Sequence, residues 1–455
     1  MEDSLRGKKV VIAGLGVTAV SLARLLLTAG ARPFVSEQGP ARGREALVAK
    51  LKAFGVPYEL GAHSPGMFDA ADLCVPSPGV SPDIPPLASA RARGVPVVGE
   101  MALAARFCQG RILAVTGTNG KTTTTELLHA MVTACGHTAL LAGNNKTPLS
   151  EAALADPPPD YVVLEVSSYQ LETADQFAPW IGAVLNLTPD HLGRHGTMDE
   201  YARVKGRLFA GIPTGGAAVV NADDPRTAAM PVPAGVRRLL FSTREHVADG
   251  LWCDGGSIRA GEAEVARVDD VPLPGAHNLA NALAALTMAR AAGFNWEAVR
   301  NALRGFAGVE HRIEWVTALH GVSFYNDSKS TNVDSLKVAL ESFDAPIVLI
   351  AGGQGKGAGY TLLRPLVETR VKALVSMGED APCLEADLHG AAPIVHVNDM
   401  SDAVAQAYAL AEPGDVVLLS PGCASFDRYA NFEARGCDFK EHVAALVREK
   451  GERQQ

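Results

Sequence analysis

The chain has 455 residues, enough for about three domains, and its 47% hydrophobic and 20% charged residues are an ordinary globular balance. A net charge of −9 argues against a broad nucleic-acid surface, so an anionic ligand has to be met by a local basic pocket or by metal ions. Seven scattered cysteines without a CxxC pair point to reduced thiols in the cytoplasm rather than disulfides or a zinc site; no apolar run approaches the roughly 20 residues that span a bilayer, and the polar Met1–Lys9 stretch is not expected to be a signal peptide.

The first segment opens with the unbroken apolar run Val10–Ala13, which predicts a buried strand. Gly14-Leu15-Gly16 follows, then a helix carrying Val20, Ala23, Leu26 and Leu27 and closed by Gly30. Further strands are expected over 33–35, 73–75 and 95–98, and a boundary between Gly99 and Gln109. A second segment starts with an apolar strand, Arg111 to Val115, and a helix from Thr122 to Ala134. Strands are expected at 139–141, 161–166, 181–187 and 217–220, a helix over 198–209, short strands and turns over 239–271 with a hairpin at Asp254-Gly255-Gly256, and a closing helix over 278–292. The third segment begins near Gly308, with strands at 347–350, 373–376, 394–397 and 416–419. Three runs of alternating strands and helices predict α/β domains with mostly parallel sheets: a Rossmann-like first domain, a phosphate-loop ATPase-type central domain and a Rossmann-like third, at 1–100, 101–307 and 308–455.

The sharpest chemical signal is Thr116-Gly117-Thr118-Asn119-Gly120-Lys121-Thr122 between a strand and a helix. Glycines let backbone N–H groups close around phosphate oxygens, the helix N-terminus favours negative charge, Lys121 adds a full positive charge, and Thr122 offers a hydroxyl to Mg²⁺. The general template wants a glycine where Val115 stands, so this is a shortened variant. Glu165 ends a buried strand one unit further on, where a carboxylate needs a metal or a cation; metal is the favoured reading. His191 lies beyond the 181–187 strand, where parallel-sheet ligands gather, and is a candidate for metal or phosphate; His195 is expected to be a surface histidine. Spacing alone makes Lys205 a solvated helix lysine and Asn278 a helix cap.

Gly14-Leu15-Gly16-Val17-Thr18-Ala19 imitates a dinucleotide fingerprint, with Glu37 about 20 residues on; a tight strand-to-helix turn and a site for another phosphate-bearing ligand remain equally open. His311-Arg312-Ile313-Glu314 and the stretch Tyr325 to Asn332 open the third segment, the latter packing hydroxyls, amides, an acid and a cation into eight residues, with a capped helix start at 331–334 as the alternative; the run Gly352-Gly353-Gln354-Gly355-Lys356-Gly357 and the stretch Ser420 to Asp427 each follow a strand.

Taken in order, TGTNGKTTTT, Glu165-Val166-Ser167-Ser168, Asn186 to His191 and Leu273 to Asn278 resemble the Mur ligases, the ATP-dependent amide-forming enzymes that build the peptidoglycan stem peptide. Asp327 to Asn332 and Ser420 to Asp427 resemble the members that add D-glutamate, and the likeness covers essentially the whole chain. It implies an amide ligase that joins D-glutamate to the alanine carboxylate of UDP-N-acetylmuramoyl-L-alanine through an acyl phosphate, acting as a cytoplasmic monomer. Thr118, Asn119, Gly120, Lys121, Thr122, Thr123, Asn278, Arg312, Asp327 and Lys329 then match ATP contacts. Gly14, Val17, Thr18, Ser36, Ser77, Pro78 and Gly79 match the UDP end, and Asn144, Ser167 and His191 the muramoyl end. Thr122 and Glu165 match one Mg²⁺ site; His191 and Lys205 match a second, where the family's lysine is carbamylated. Lys121, Glu165, His191 and Lys205 are the implied catalytic set, and Thr331, Lys356, Ser425 and Phe432 match the D-glutamate pocket. Two departures stand out: Glu37 after Ser36, an acid where an anionic ligand is expected, and Gly357-Ala358-Gly359 where relatives tend to carry an acid. Rival readings are a folylpolyglutamate synthetase, a nucleotide-sugar dehydrogenase and a non-catalytic nucleotide-binding regulator.

Overall fold

The computed structural model describes residues 5–144, 147–355, 357 and 359–452, and elements are counted among these. Lys356 and Ala358 lie outside the described residues. The chain forms two compact units, Met1–Val271 with Ala280–Gly305, and Pro272–Leu279 with Phe306–Gln455.

The first unit carries two sheets. In one, β1 (Lys9–Ala13), β2 (Arg32–Glu37), β3 (Tyr58–Leu60) and β4 (Leu73–Pro76) run parallel in the order β3-β2-β1-β4. The other comprises β5 (Arg111–Thr116), β6 (Ala139–Gly143), β7 (Tyr161–Glu165), β8 (Ile181–Val184), β9 (Ala217–Asn221), β10 (Arg237–Ser242), β11 (Gly250–Asp254), β12 (Ser257–Ala260) and β13 (Ala263–Arg267). Its order is β13-β12-β11-β10-β9-β8-β5-β7-β6, and it is parallel except for the β11-β12-β13 meander. The central strands β5, β7 and β8 are covered on both faces, which is why their sequences are continuous apolar runs rather than alternating ones.

The second unit has one sheet: β14 (Glu314–Leu319), β15 (Val322–Asn326), β16 (Ile347–Ala351), β17 (Val371–Ser376), β18 (Ile394–His396) and β19 (Val416–Leu419). Its order is β14-β15-β19-β16-β17-β18, with only the β14-β15 hairpin antiparallel. The mixed, mostly parallel α/β architecture is the one the strand-helix alternation predicts.

Local differences have physical causes. Residues 95–98 form no strand: Val97 makes a single bridge to Cys74, and Pro96 beside it has no N–H to extend a ladder. The strand expected over 181–187 stops at Val184, because the following backbone turns to the phosphate loop: Asn186 O accepts from Thr118 N (3.0 Å). Asn278 is not a helix cap; the helix Ala276–Ala292 begins before it, and its side-chain amide donates to Pro274 O (2.7 Å).

Candidate functional site

The phosphate loop joins β5 to the helix Lys121–Ala134. Gly120 closes it in a left-handed conformation (φ 83°), which L side chains rarely adopt, and a Cβ there would stand 2.0 Å from Asn281 Oδ1. Asn186 braces the turn from the end of β8: its Oδ1 accepts from Asn119 N (2.8 Å) and its amide donates to Asn119 O (3.1 Å). Thr118 Oγ1 exchanges contacts with the Thr188 backbone (3.1 and 3.2 Å) and lies 3.3 Å from the Tyr201 hydroxyl. Thr123 is buried in the helix's first turn. Lys121 folds over the loop, its Nζ donating to Gly117 O (3.0 Å) and Thr118 O (2.8 Å).

Two buried groups face this turn. Glu165, at the end of β7, accepts from Thr122 Oγ1 at Oε2 (2.8 Å) and from Asn144 Nδ2 at Oε1 (3.1 Å). Lys205 is only 1% exposed and donates to Gly117 O (2.9 Å) and Thr116 Oγ1 (3.3 Å), with its ammonium 4.8 Å from the Tyr201 ring centre. Burial, and then the charge of Lys121, hold its pKa well below the ordinary lysine value, against the pull of Asp190 and Glu165. The solvated lysine that helix spacing suggests is thus overturned: a helix face reads as exposed only until the residue packed against it is known.

His191 stands at the start of the helix Leu192–His195 in a left-handed conformation (φ 53°) and is exposed. Its Nε2 is 3.4 Å from Asp190 Oδ2 and its Nδ1 3.1 Å from the Tyr169 hydroxyl. His195 is a correction to the sequence reading. It is buried, with Nε2 3.0 Å from Ser168 Oγ and Nδ1 3.5 Å from Glu172 Oε1, because the short helix turns it inward.

A cavity of about 660 Å³ opens at the first βα turn. Gly14, Val17, Thr18, Ser77, Pro78, Gly79 and Asn144 line it, all singled out from sequence. Ser36 does not line it: it is fully buried, and its hydroxyl donates to Glu59 Oε1 (2.6 Å) and meets His63 Nδ1 (2.7 Å). Ser167 caps the helix Ser168–Leu171 in a reciprocal box with Gln170. Glu37 does line the cavity, and its charge is committed. Oε2 accepts from Leu15 N (2.7 Å) and Oε1 from Gly39 N (2.6 Å), with Arg44 at 3.4 Å. Burial opposes its ionisation, but these donors outweigh it and hold the carboxyl below the usual range.

In the second unit, Asp327 is buried at the start of the loop after β15. It accepts from Ser420 Oγ (2.8 Å) and Ile313 N (3.2 Å), and burial lifts its pKa to about 7 despite those bonds and the nearby Arg312. The Lys329 ammonium lies 5.8 Å from the Phe432 ring centre. Ser425 is buried beside the bridge between Gln354 and Ala424, and Thr331 precedes Asn332, the cap of the helix Val333–Glu341. Arg312 lies near His277, whose pKa is lowered to about 4 by burial first and by that guanidinium second.

Comparison with known proteins settles the family. The Mur ligase MurD-like N-terminal domain matches residues 8–99, the Mur ligase middle domain 115–289, and the Mur ligase glutamate ligase domain 311–423. The chain belongs to the Mur ligase family. Among its relatives, the UDP-N-acetylmuramoylalanine--D-glutamate ligase of Acidobacterium capsulatum is 43% identical over 452 residues, covering 97% of each chain. The protein of the same name from Pelotomaculum thermopropionicum is 43% identical, over 96% of this chain and 98% of its own. Solved Mur ligases share the fold at lower identity. The UDP-N-acetylmuramate-alanine ligase MurC of Thermotoga maritima aligns with a TM-score of 0.59 at 17% identity, over 96% of this chain and 100% of its own. The MurF ligase of the same organism, solved with ADP, gives 0.58 at 17%, over 98% and 97%.

Three residues of this Mur ligase fall into place only in three dimensions. Asn281, one helical turn after Asn278, abuts Gly120; the repeated Asn in His277-Asn278-Leu279-Ala280-Asn281 was the available signal. Tyr201 touches both Thr118 and Lys205, and nothing in its helix pattern marks it. Arg435 is 3% exposed and ties two loops together, donating to Ser328 Oγ (3.0 Å), Ser328 O (2.9 Å), Cys423 O (3.1 Å) and Ala424 O (3.2 Å). A lone arginine in a charged helix gives no such warning.

Proposed function

We propose that this Mur ligase joins D-glutamate to the L-alanine carboxylate of UDP-N-acetylmuramoyl-L-alanine with cleavage of ATP to ADP and phosphate, a step of peptidoglycan precursor synthesis. The observation that carries the phosphoryl-transfer part is the gathering of Lys121, Thr122, Glu165 and Lys205 on one phosphate loop. The amine acceptor follows from the name shared by relatives that match nearly the whole chain.

The alanine carboxylate attacks the γ-phosphorus of ATP, ADP departs, and an acyl phosphate forms. The D-glutamate amine attacks the acyl carbon, the amide bond forms, phosphate leaves, and the amine's surplus proton is released. Lys121, now satisfied by Gly117 and Thr118 carbonyls, turns to the phosphate oxygens, where positioned positive charge contributes most to such reactions. Thr118, Asn119, Gly120 and Thr123 cradle the phosphates. Asn278, Arg312, Asp327 and Lys329, together with Asn281, contact ATP. Gly14, Val17, Thr18, Ser77, Pro78 and Gly79 serve the UDP end, and Asn144, Ser167 and His191 the muramoyl end. Thr331, Lys356, Ser425 and Phe432 hold D-glutamate. In this reading residues 1–100, 101–307 and 308–455 are the UDP-substrate, ATP and D-glutamate domains.

The donor set suits two divalent cations. Thr122 and Glu165 offer hard oxygen ligands 2.8 Å apart and would hold the first Mg²⁺. His191 and Lys205 would hold the second once the Lys205 amine has added carbon dioxide and released a proton, a reaction of the neutral amine that its lowered pKa favours. Bound Mg²⁺ supplies positive charge to the phosphate oxygens. We place the enzyme in the cytoplasm as a monomer. Its seven free cysteines suit a reducing compartment, and no helix among the described residues is long and apolar enough to cross a membrane.

The test is phosphate release from ATP with UDP-N-acetylmuramoyl-L-alanine, with and without D-glutamate. Sustained release that requires both substrates is expected. Turnover with a folate, NAD reduction, or ATP binding without turnover would replace the reading with one of its rivals.

A further inference from the structure

Arg312 sits in a turn held against its own backbone preference. Its neighbours His311 and Ile313 have φ of 64° and 44°. Such values are uncommon outside glycine and, for a β-branched residue, a real outlier; each costs about 1–3 kcal/mol and persists only where the surroundings impose it.

Here the surroundings converge on Glu314, the first residue of β14. Its Oε2 accepts from His311 N (2.9 Å) and from Asn326 Nδ2 (2.9 Å), and its Oε1 from Lys440 Nζ (3.0 Å). Asn326 cannot turn its amide over, because its Oδ1 already accepts from Ser328 N (3.1 Å); its Nδ2 also faces His311 Nδ1 (2.9 Å). Gly436 admits the imidazole, since a Cβ there would lie 2.2 Å from His311 Nδ1. Ile313 N donates to Asp327 Oδ1 (3.2 Å), and Arg312 N to Val309 O (3.0 Å). Within this frame Arg312 Nε is buried without a hydrogen-bond partner among the described residues. A buried donor left unmet is costly, so a frame that keeps it unmet is arranged for a ligand to satisfy.

We propose that Glu314 is a positioning residue: its carboxylate holds the left-handed turn that presents Arg312 to ATP. The proposal rests on the reading of Arg312 as an ATP contact. Glu314 itself touches no substrate, and its hold accounts for the two strained residues, His311 and Ile313, on either side of Arg312.

The experiment is a double-mutant cycle of Glu314→Ala and Arg312→Ala, reading the KM for ATP, the KM for D-glutamate and the thermal midpoint. Glu314→Ala is expected to raise the KM for ATP about tenfold while moving that for D-glutamate less than about twofold. Glu314→Gln, which keeps one acceptor oxygen, should fall between and is the variant to use if the alanine protein does not fold. In the Arg312→Ala background the Glu314 change should add nothing to the KM for ATP. Full additivity, an unchanged KM for ATP, or equal rises in both KM values with a lowered midpoint would overturn the positioning role. If Arg312→Ala alone leaves the KM for ATP unchanged, the ATP-contact reading itself fails, and the proposal with it.

Discussion

Gly120→Ala perturbs the loop at its tightest point. At φ 83° an alanine pays about 1 kcal/mol that glycine does not. Its methyl carbon would also stand 2.0 Å from Asn281 Oδ1 and 2.8 Å from Asn281 Cγ, far inside the 3.4 Å at which ordinary contact begins. The oxygen therefore has to retreat by more than 1 Å, or the loop must. Overpacking of this kind costs about 1–3 kcal/mol, and a displacement near 1 Å among positioning groups costs on the order of 100-fold in rate. We expect kcat/KM for ATP to fall about 100-fold, with a loss of about 2–4 kcal/mol in unfolding free energy. The assay is phosphate release at varied ATP with both other substrates saturating, beside equilibrium unfolding in urea. Adding Asn281→Ala should restore part of the stability, since it clears the obstacle and leaves only the backbone strain. A Gly120→Ala protein within about twofold of the parent in both measures would refute the close-packing argument.

Lys205→Ala should abolish most ligation while leaving stability unchanged or raised, because a desolvated amine is lost; partial recovery with added formate or acetate is expected, and full activity without them contradicts N-carboxylation. Asp327 gives a pH signature. Its carboxyl is lifted to about 7 in the folded protein, so between about pH 4 and 7 the native state binds more protons than the unfolded chain and stability falls as pH rises. The contribution is at most about 4 kcal/mol, and Asp327→Asn should remove it; parallel stability curves for the two proteins would contradict the assignment. Arg435→Ala withdraws the guanidinium from two loops, leaving Ala424 O its bond from Gln354 N (2.9 Å) and Ser328 Oγ its bond to Phe432 O (2.8 Å) but removing the donor at Ser328 O and Cys423 O; it should cost about 2–4 kcal/mol in unfolding free energy, whereas a loss under about 0.5 kcal/mol would show that water replaces the guanidinium.

What was legible in the sequence followed from local pattern. Strands buried on both faces read as apolar runs, and the phosphate loop read as a strand, two glycines and a Lys-Thr pair, so β5, β7, β16 and the loop are found where expected. The likeness of ordered motifs carried the family. What stayed hidden depended on contacts between distant residues. Lys205 looks solvated along its helix and His195 looks like a surface loop histidine, and both become buried only through Tyr201, Ser168 and the loop carbonyls. Glu37 looked like an affront to an anionic ligand until the N–H groups of Leu15 and Gly39 were seen to absorb its charge. The β14-β15 hairpin escaped notice because its two strands are half-covered, so polar residues interrupt the apolar ones and neither carries an unbroken run.

The central claim is that this phosphate loop activates a carboxylate. The most direct measurement places ¹⁸O in the alanine carboxylate of UDP-N-acetylmuramoyl-L-alanine and follows the label through one round of ligation. Attack of that carboxylate on ATP predicts one ¹⁸O atom in each inorganic phosphate released. Phosphate free of label would mean that water, not the carboxylate, takes the phosphoryl group, and would contradict the account.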